Sequence, residues 1–262
     1  MISIDKLAYI SKLKRVNPVE KFVFAIITLI ICIALNNILD SIVILFLMTF
    51  IIVAMGKIPL KTYVQLMSLP LVFLIIGIIT IAVNVVGNDN NLIFSFKIFE
   101  IKLGCTYESI LVSARLFFKS LGSVSCLYFL TLTTPVFEIL HVLRKLRVPR
   151  LFVELMGLIY RFIFVLLDTA NMIYISQNSR LGYSTFKTSF NSLGQLITSL
   201  FISSYKRSQD IYTAMESRCY DGDINLLENK YTYSYKNISL IIVIEVVLIV
   251  ISFSKNIFGG IY

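Results

Sequence analysis

Two arginines stand in the same frame. Tyr174-Ile-Ser-Gln-Asn-Ser179-Arg180 and Tyr212-Thr-Ala-Met-Glu-Ser217-Arg218 both read Tyr, four residues, Ser, Arg, and the second follows the first by 38 residues. Each closes a long helical pattern in the one long polar region of a hydrophobic chain. A guanidinium is permanently charged and offers five donors in a rigid fork, suited to a carboxylate or a set of carbonyls. At a helix C-terminus the macrodipole favours it by about 0.3–1 kcal/mol, which is the bland explanation for one such arginine. Two in one frame, on helices of equal length, point instead to a pair of tips that seat in another protein. Tyr174 and Tyr212 lie six residues before their arginines and are read first as packing residues, while Met215 and Cys219 offer soft apolar contact beside the second arginine.

The rest of the chain offers no catalytic constellation. His141 is the single histidine, so no multi-histidine metal site can be built. Cys32, Cys105, Cys126 and Cys219 form no CxxC pair and read as small hydrophobes, without a disulfide framework. There is no Gly-x4-Gly-Lys-Ser/Thr loop for ATP, no HExxH and no GxSxG. The expectation is a non-enzymatic chain that binds no cofactor and no metal of its own.

Composition says where the tips are carried. Apolar residues make up 57% of the 262 residues and charged ones 15%, with a net charge of +9 and a mean hydropathy of +0.85. Soluble domains average about 45–50% apolar and about 25% charged, so the chain belongs in a bilayer. The positive charge reads as cytoplasmic loops held against an anionic leaflet, and no aromatic-interleaved basic patch suggests nucleic acid. The polar, basic stretch Met1–Lys21 is not expected to be a signal peptide.

Five apolar stretches are candidate spans: Phe22–Leu39, Ile42–Gly56, Leu66–Val86, Ile110–Thr133 and Ile238–Phe253. A span needs about 20 residues, so the first, second and last must borrow from their flanks. Basic loops alternate with loops that are not. Lys6, Lys12, Lys14, Arg15 and Lys21 precede the first span, the loop Asn36–Ser41 has no Lys or Arg, Lys57 and Lys61 follow the second span, and Thr134–Asn237 carries twelve. This predicts a cytoplasmic N-terminus, a cytoplasmic region at 134–237 and an outer C-terminus. Leu92–Leu103 alternates apolar with polar between turn signals at Gly87-Asn88-Asp89 and Gly104, predicting a small outer hairpin. The expected organisation is a membrane domain over 1–133, a cytoplasmic helical region over 134–237 and a last span over 238–262.

The helical region divides into a short piece near Pro135–Leu146, a second from Pro149 to about Arg180 and a third from about Asn191 to Arg218, with Gly222 as a stop signal. The two long pieces are about 28–30 residues each, or about 42–45 Å. Along the second, Leu151, Leu158, Val165 and Met172 form one seven-residue row, and Leu155, Phe162, Thr169 and Ser176 another: a seam for a partner helix. Leu151–Leu167 is apolar enough to compete as a sixth span. Against that, Glu154, Arg161 and Asp168 line one edge at seven-residue spacing, and each charge at bilayer depth costs about 2.5–3.5 kcal/mol. The same edge reads either as ion-paired to the neighbouring helix or as simply solvated. Glu245, in the last span, either meets Arg115 or Lys119 of the fourth or stays protonated.

These residues resemble a known family. Ile4-Asp5-Lys6-Leu7-Ala8-Tyr9 with Asn17-Pro18-Val19-Glu20-Lys21, then Thr131-Leu132-Thr133-Thr134-Pro135, Leu146-Arg147-Val148-Pro149 and Glu154 through Tyr160-Arg161, are similar to the transmembrane T component of energy-coupling factor (ECF) transporters, cobalt-type CbiQ group. The family's two arginine motifs read roughly Ala-Arg-Gly, the second preceded by Ala-Met. Here they are Ser179-Arg180-Leu181 and Ser217-Arg218-Cys219 after Ala214-Met215, so the flanking small residues are replaced. The resemblance covers almost the whole chain.

It implies an all-α membrane protein of five spans with one short and two long crossed coupling helices. It further implies two ABC-type ATPase subunits that carry the ATP and Mg, a membrane-embedded metal-binding S component, and placement in the plasma (inner) membrane with cobalt or nickel as cargo. Each coupling helix would end in an arginine, Arg180 or Arg218, seated in one ATPase, with Tyr174, Tyr212, Met215, Glu154 and Arg161 in support. Rival readings are a shared T component for vitamin-binding S components, a membrane enzyme acting on a lipid or isoprenoid, a metal channel and a conventional ABC permease.

Overall fold

The computed structural model describes residues 3–35, 37–82, 84–85, 92–98, 101–220, 231 and 233–258. Its helices are α1 (Ser3–Ile10), α2 (Pro18–Ala34), α3 (Ile38–Phe50), α4 (Leu60–Ala82), α5 (Tyr107–Thr133), α6 (Val136–Lys145), α7 (Arg150–Ser179), α8 (Phe186–Glu216) and α9 (Tyr235–Phe258). Strands β1 (Asn84–Val85), β2 (Leu92–Ile98) and β3 (Ile101–Thr106) form a three-stranded antiparallel sheet in the order β1-β3-β2. The hairpin expected from the alternation at Leu92–Leu103 is thus β2–β3, and β1 adds a third strand. The turn signals Gly87–Asp89 lie outside the described residues.

The chain divides into two compact units, Ile2–Ile139 with Lys230–Tyr262, and Leu140–Asn229. In the first, α5 is the central helix. Ile44, Met48 and Ile52 of α3 and its π-helical extension (Ile51–Met55), with Leu132 and Cys126 of α5, are fully buried, and the Phe24 and Phe129 rings meet edge-on at 5.5 Å. Gly122 makes this approach possible. A Cβ there would sit 3.0 Å from Cys32 Sγ and 3.2 Å from the Ser41 carbonyl oxygen, so only a bare backbone lets α2, α3 and α5 close together. Pro70 stands inside α4 and can donate nothing to the Leu66 carbonyl four residues back. The Tyr128 hydroxyl of α5 donates to that carbonyl at 3.0 Å, which satisfies a group that lipid could not. Leu69, Val72, Phe73 and Ile76 of α4 face outward, as lipid-facing residues do.

Among the described residues, three helices are long and apolar enough to cross a membrane: Ile38–Met55, Leu60–Ile81 and Glu108–Thr133. They correspond to the second, third and fourth expected spans, with the third starting earlier than Leu66. The first and fifth candidates fall on α2, of 17 residues, and on α9. The competing sixth span falls on α7, which is not among the three: Glu154 and Arg161 place two charges within its apolar stretch and Asp168 a third just after it. Glu245 receives a hydrogen bond from Thr28 Oγ1 at 2.9 Å, so its described partner comes from α2 and not from the cations of α5 considered above.

The second unit is built on α7 and α8. Leu140 of α6 packs over Gly157 of α7, where a Cβ would meet its methyl at 3.6 Å. α6 ends with Arg147 in the left-handed region (φ 64°), and Pro149 caps the start of α7. α8 begins at Phe186, earlier than the expected Asn191, because Thr185 caps it. The Thr185 hydroxyl accepts from the Thr188 N–H at 3.3 Å and the Thr188 hydroxyl accepts from the Thr185 N–H at 3.0 Å. Such a box normally carries Glu or Gln at its fourth position, so threonine there hid the start. Much of the seven-residue seam on α7 is uncovered: Leu151, Leu155 and Met172 are exposed, while Leu158, Phe162 and Val165 are half-buried.

Candidate coupling site at two arginine-tipped helix ends

The repeated sequence frame maps onto a repeated backbone. At the end of α7 the Leu181 N–H donates to the Asn178 carbonyl (3.0 Å) and the Gly182 N–H to the Gln177 carbonyl (2.9 Å). At the end of α8 the Cys219 N–H donates to the Glu216 carbonyl (3.0 Å) and the Tyr220 N–H to the Met215 carbonyl (3.0 Å). Both are Schellman ends, which close the last turn by a residue in left-handed conformation. That residue is Leu181 in one and Cys219 in the other, each at φ 58°. The residue just before it is Arg180 in one and Arg218 in the other.

The serines match as well. Ser179 Oγ donates to the Ile175 carbonyl at 2.9 Å and Ser217 Oγ to the Thr213 carbonyl at 2.5 Å. Both arginines, both serines, Leu181 and Cys219 are exposed. Each guanidinium therefore stands free of its own core at the negative end of a helix dipole, able to offer its fork to acceptors elsewhere.

This geometry explains the departures at Leu181 and Cys219. A left-handed residue that is not glycine costs about 1–2 kcal/mol, which is why glycine suits this position. The hydrogen-bonded end forms regardless, so the arginine keeps its place.

The two tips lie at opposite ends of the hairpin that α7 and α8 make. α7 has 30 residues and α8 has 31, about 45 Å each at helical rise. The Tyr220 hydroxyl approaches Glu154 Oε2 to 3.5 Å, bringing the end of α8 back to the second turn of α7. Among the supporting residues, Glu154 thus meets α8's end, whereas Arg161 is exposed, as is Asp168 further along the same edge. The Tyr174 ring lies 4.9 Å from that of Tyr183, Tyr212 is 58% exposed and Met215 is half-buried.

Residues that periodicity did not single out brace the first tip. Gln177 Nε2 donates to the Ser192 carbonyl at 3.0 Å, and its Oε1 accepts from the Tyr183 hydroxyl at 2.8 Å. Ser192, buried, donates from Oγ to the Gly182 carbonyl at 2.8 Å. A Cβ on Gly182 would fall 2.7 Å from Ser192 Oγ and 2.8 Å from the Gln177 carbonyl oxygen. The capping box at Thr185 was the one signal in the sequence that could have drawn attention to this corner.

Among the described residues no group of three or more His, Cys, Asp or Glu could hold a metal ion. The features to be accounted for are a helical membrane unit and a helical hairpin with two like tips. Residues 10–231 match the family model for CbiQ, the cobalt transport protein. The chain belongs to the CbiQ family. It is 33% identical over 250 residues to an uncharacterized protein of Methanocaldococcus jannaschii, covering 95% of this chain and 92% of that one. It is 27% identical to the cobalt transport protein CbiQ of Salmonella typhimurium, over 86% of this chain and all of the other. To the energy-coupling factor transporter transmembrane protein EcfT of Exiguobacterium sibiricum it is 31% identical, over 89% and 91% of the two chains. This CbiQ-family chain is accordingly a multi-pass membrane component of a transporter.

Proposed function

We propose that this CbiQ-family protein is the coupling subunit of an ATP-driven importer. Arg180 and Arg218 seat in two ATPase subunits, which bind ATP and Mg, and the α7–α8 hairpin passes their movement to a membrane-embedded substrate-binding component. One observation carries the reading: the same capped end, with arginine at the same position, occurs twice and at opposite ends of one hairpin. A lone arginine at a helix end is explained by the dipole, but a duplicated tip suits duplicated partners. The N-terminus and the hairpin face the cytoplasm, and five spans, on α2, α3, α4, α5 and α9, cross the bilayer, as the alternation of basic loops supports. Cobalt(II), with nickel(II) beside it, is the cargo favoured by the family. The match to an EcfT protein keeps open a second cargo class on the same architecture, vitamins bound by other S components.

Replacing both Arg180 and Arg218 by alanine tests the reading. The unaltered protein, isolated in mild detergent, is expected to bring down two ATPase subunits and one small membrane protein. The double variant should reach the membrane in normal amount yet lose the ATPases and at least tenfold in uptake. Normal transport by the double variant contradicts the assignment.

A further inference from the structure

The Leu140–Asn229 unit is joined to the rest of the chain by two crossings, one leaving through the first turn of α6 and one returning before α9. Both crossings are fastened to a single turn of α2, and the tips take no part in this. Asn17 starts that turn by accepting from the Val19 N–H at 3.0 Å, with Pro18 in the first helical position. The next two charged residues, Glu20 and Lys21, are 6% and 3% exposed, which is unusual for such side chains unless they are paired.

Lys21 Nζ donates to the Thr133 carbonyl at the end of α5 (3.0 Å) and to the Leu13 carbonyl (3.1 Å), and lies 3.6 Å from Glu138 Oε2 in α6. Glu20 turns to the returning strand of chain. Its Oε1 accepts from the Ser234 N–H at 3.1 Å and its Oε2 from Asn237 Nδ2 at 3.3 Å, which caps the start of α9. The two crossings are also joined directly: the Tyr231 hydroxyl donates to Glu138 Oε1 at 2.6 Å. Burial pushes the Lys21 ammonium down to about 8, with the Glu138 carboxylate acting the other way. Its charge is thus held in place by its partners and not by water.

We infer that Glu20, Lys21, Glu138 and Tyr231 form a clamp that fixes the outgoing and returning chain to one point on α2, so that movement of the hairpin is delivered to the spans. The inference rests on the coupling reading and names the residues through which coupling passes. A flexible neck would let the hairpin follow the ATPases while the spans stood still. A neck whose two strands are pinned to each other and to the foot of α2 cannot absorb the motion in that way. These are positioning residues, and they touch neither cargo nor nucleotide.

The test separates motion from hydrolysis. Nitroxides carried on non-natural amino acids at positions 43, in α3, and 199, in α8, report the distance between the two units in the complex isolated with its ATPase subunits. In the unaltered complex ATP should shift that distance. In Glu138→Gln and in Tyr231→Phe, ATP hydrolysis should stay within about twofold of normal while the shift falls to less than half. Tyr231→Phe removes one hydroxyl and keeps the ring, so it reports even where Glu138→Gln fails to assemble. A full shift in Tyr231→Phe, or a shift lost only in step with hydrolysis, overturns the clamp. An unaltered protein that brings down no ATPase, or shows no shift, instead contradicts the coupling reading, and the clamp falls with it.

Discussion

The two ends of the α7–α8 hairpin share a backbone and differ in what supports it. Each closes with the same pair of hydrogen bonds, a residue at the same left-handed φ and the same serine back-bond. Yet the Arg180 end is a corner: Gln177, Tyr183 and Ser192 tie the last turn of α7 to the first turns of α8. The Arg218 end closes a helix whose Tyr220, two residues after the arginine, approaches Glu154 at 3.5 Å. The shared part sets how the arginine is presented, and the unshared part sets how much of the hairpin moves with it. On the proposed coupling role, a push at Arg180 would be carried by both helices, while a push at Arg218 would act first along α8.

The largest effect that could break this comparison is Gly182→Ala. The added methyl meets Ser192 Oγ and a backbone carbonyl at under 3 Å, an overpacking that costs about 1–3 kcal/mol. It should loosen the Arg180 end and leave the Arg218 end untouched, whereas Tyr220→Ala at the matching position should be mild. Amide hydrogen exchange over 176–183 and 214–220 reads both ends at once, and equal loosening would contradict the difference in support.

A smaller and more local change is Gln177→Leu. It removes two hydrogen bonds and leaves the Ser192 carbonyl and Tyr183 hydroxyl without that partner, for about 1–3 kcal/mol. Protection should fall at 177–183 alone, with the Arg218 end as the internal control. Smallest are Leu181→Gly and Cys219→Gly, each relieving one left-handed residue. The gain is up to about 1 kcal/mol, reduced by the freedom that glycine gives the unfolded chain. The two should raise the melting temperature by nearly the same amount, since the backbone is the shared part, and a clear inequality would break the equivalence.

Sequence alone made much of this architecture legible. The apolar stretches, the alternation at Leu92–Leu103 and the two Tyr-x4-Ser-Arg frames come from periodicity and composition, which are local properties. The arginine positions were readable because a helix end is written in neighbouring residues. Three features were not readable, each for a physical reason. The start of α8 was missed because Thr188 fills a place where a longer acceptor is usual. The bracing of Arg180 joins Gln177 to Ser192, 15 residues apart, and a polar side chain on a helix does not say what it will bond. The clamp joins Lys21 to Thr133 and Glu20 to Asn237, separations of 112 and 217 residues that no local pattern encodes. The seam on α7 was legible as a pattern, but periodicity cannot say whether its partner lies in the same chain, and much of it here stays exposed.

The most direct test of the central claim is site-directed crosslinking from the two tips. A photoreactive amino acid in place of Ser179, and separately of Ser217, should crosslink each tip to an ATPase subunit in membranes, with yields that change on adding ATP. Crosslinks that avoid the ATPases at both positions, or labelling of either tip by an impermeant reagent from the outer face of the membrane, would contradict the account.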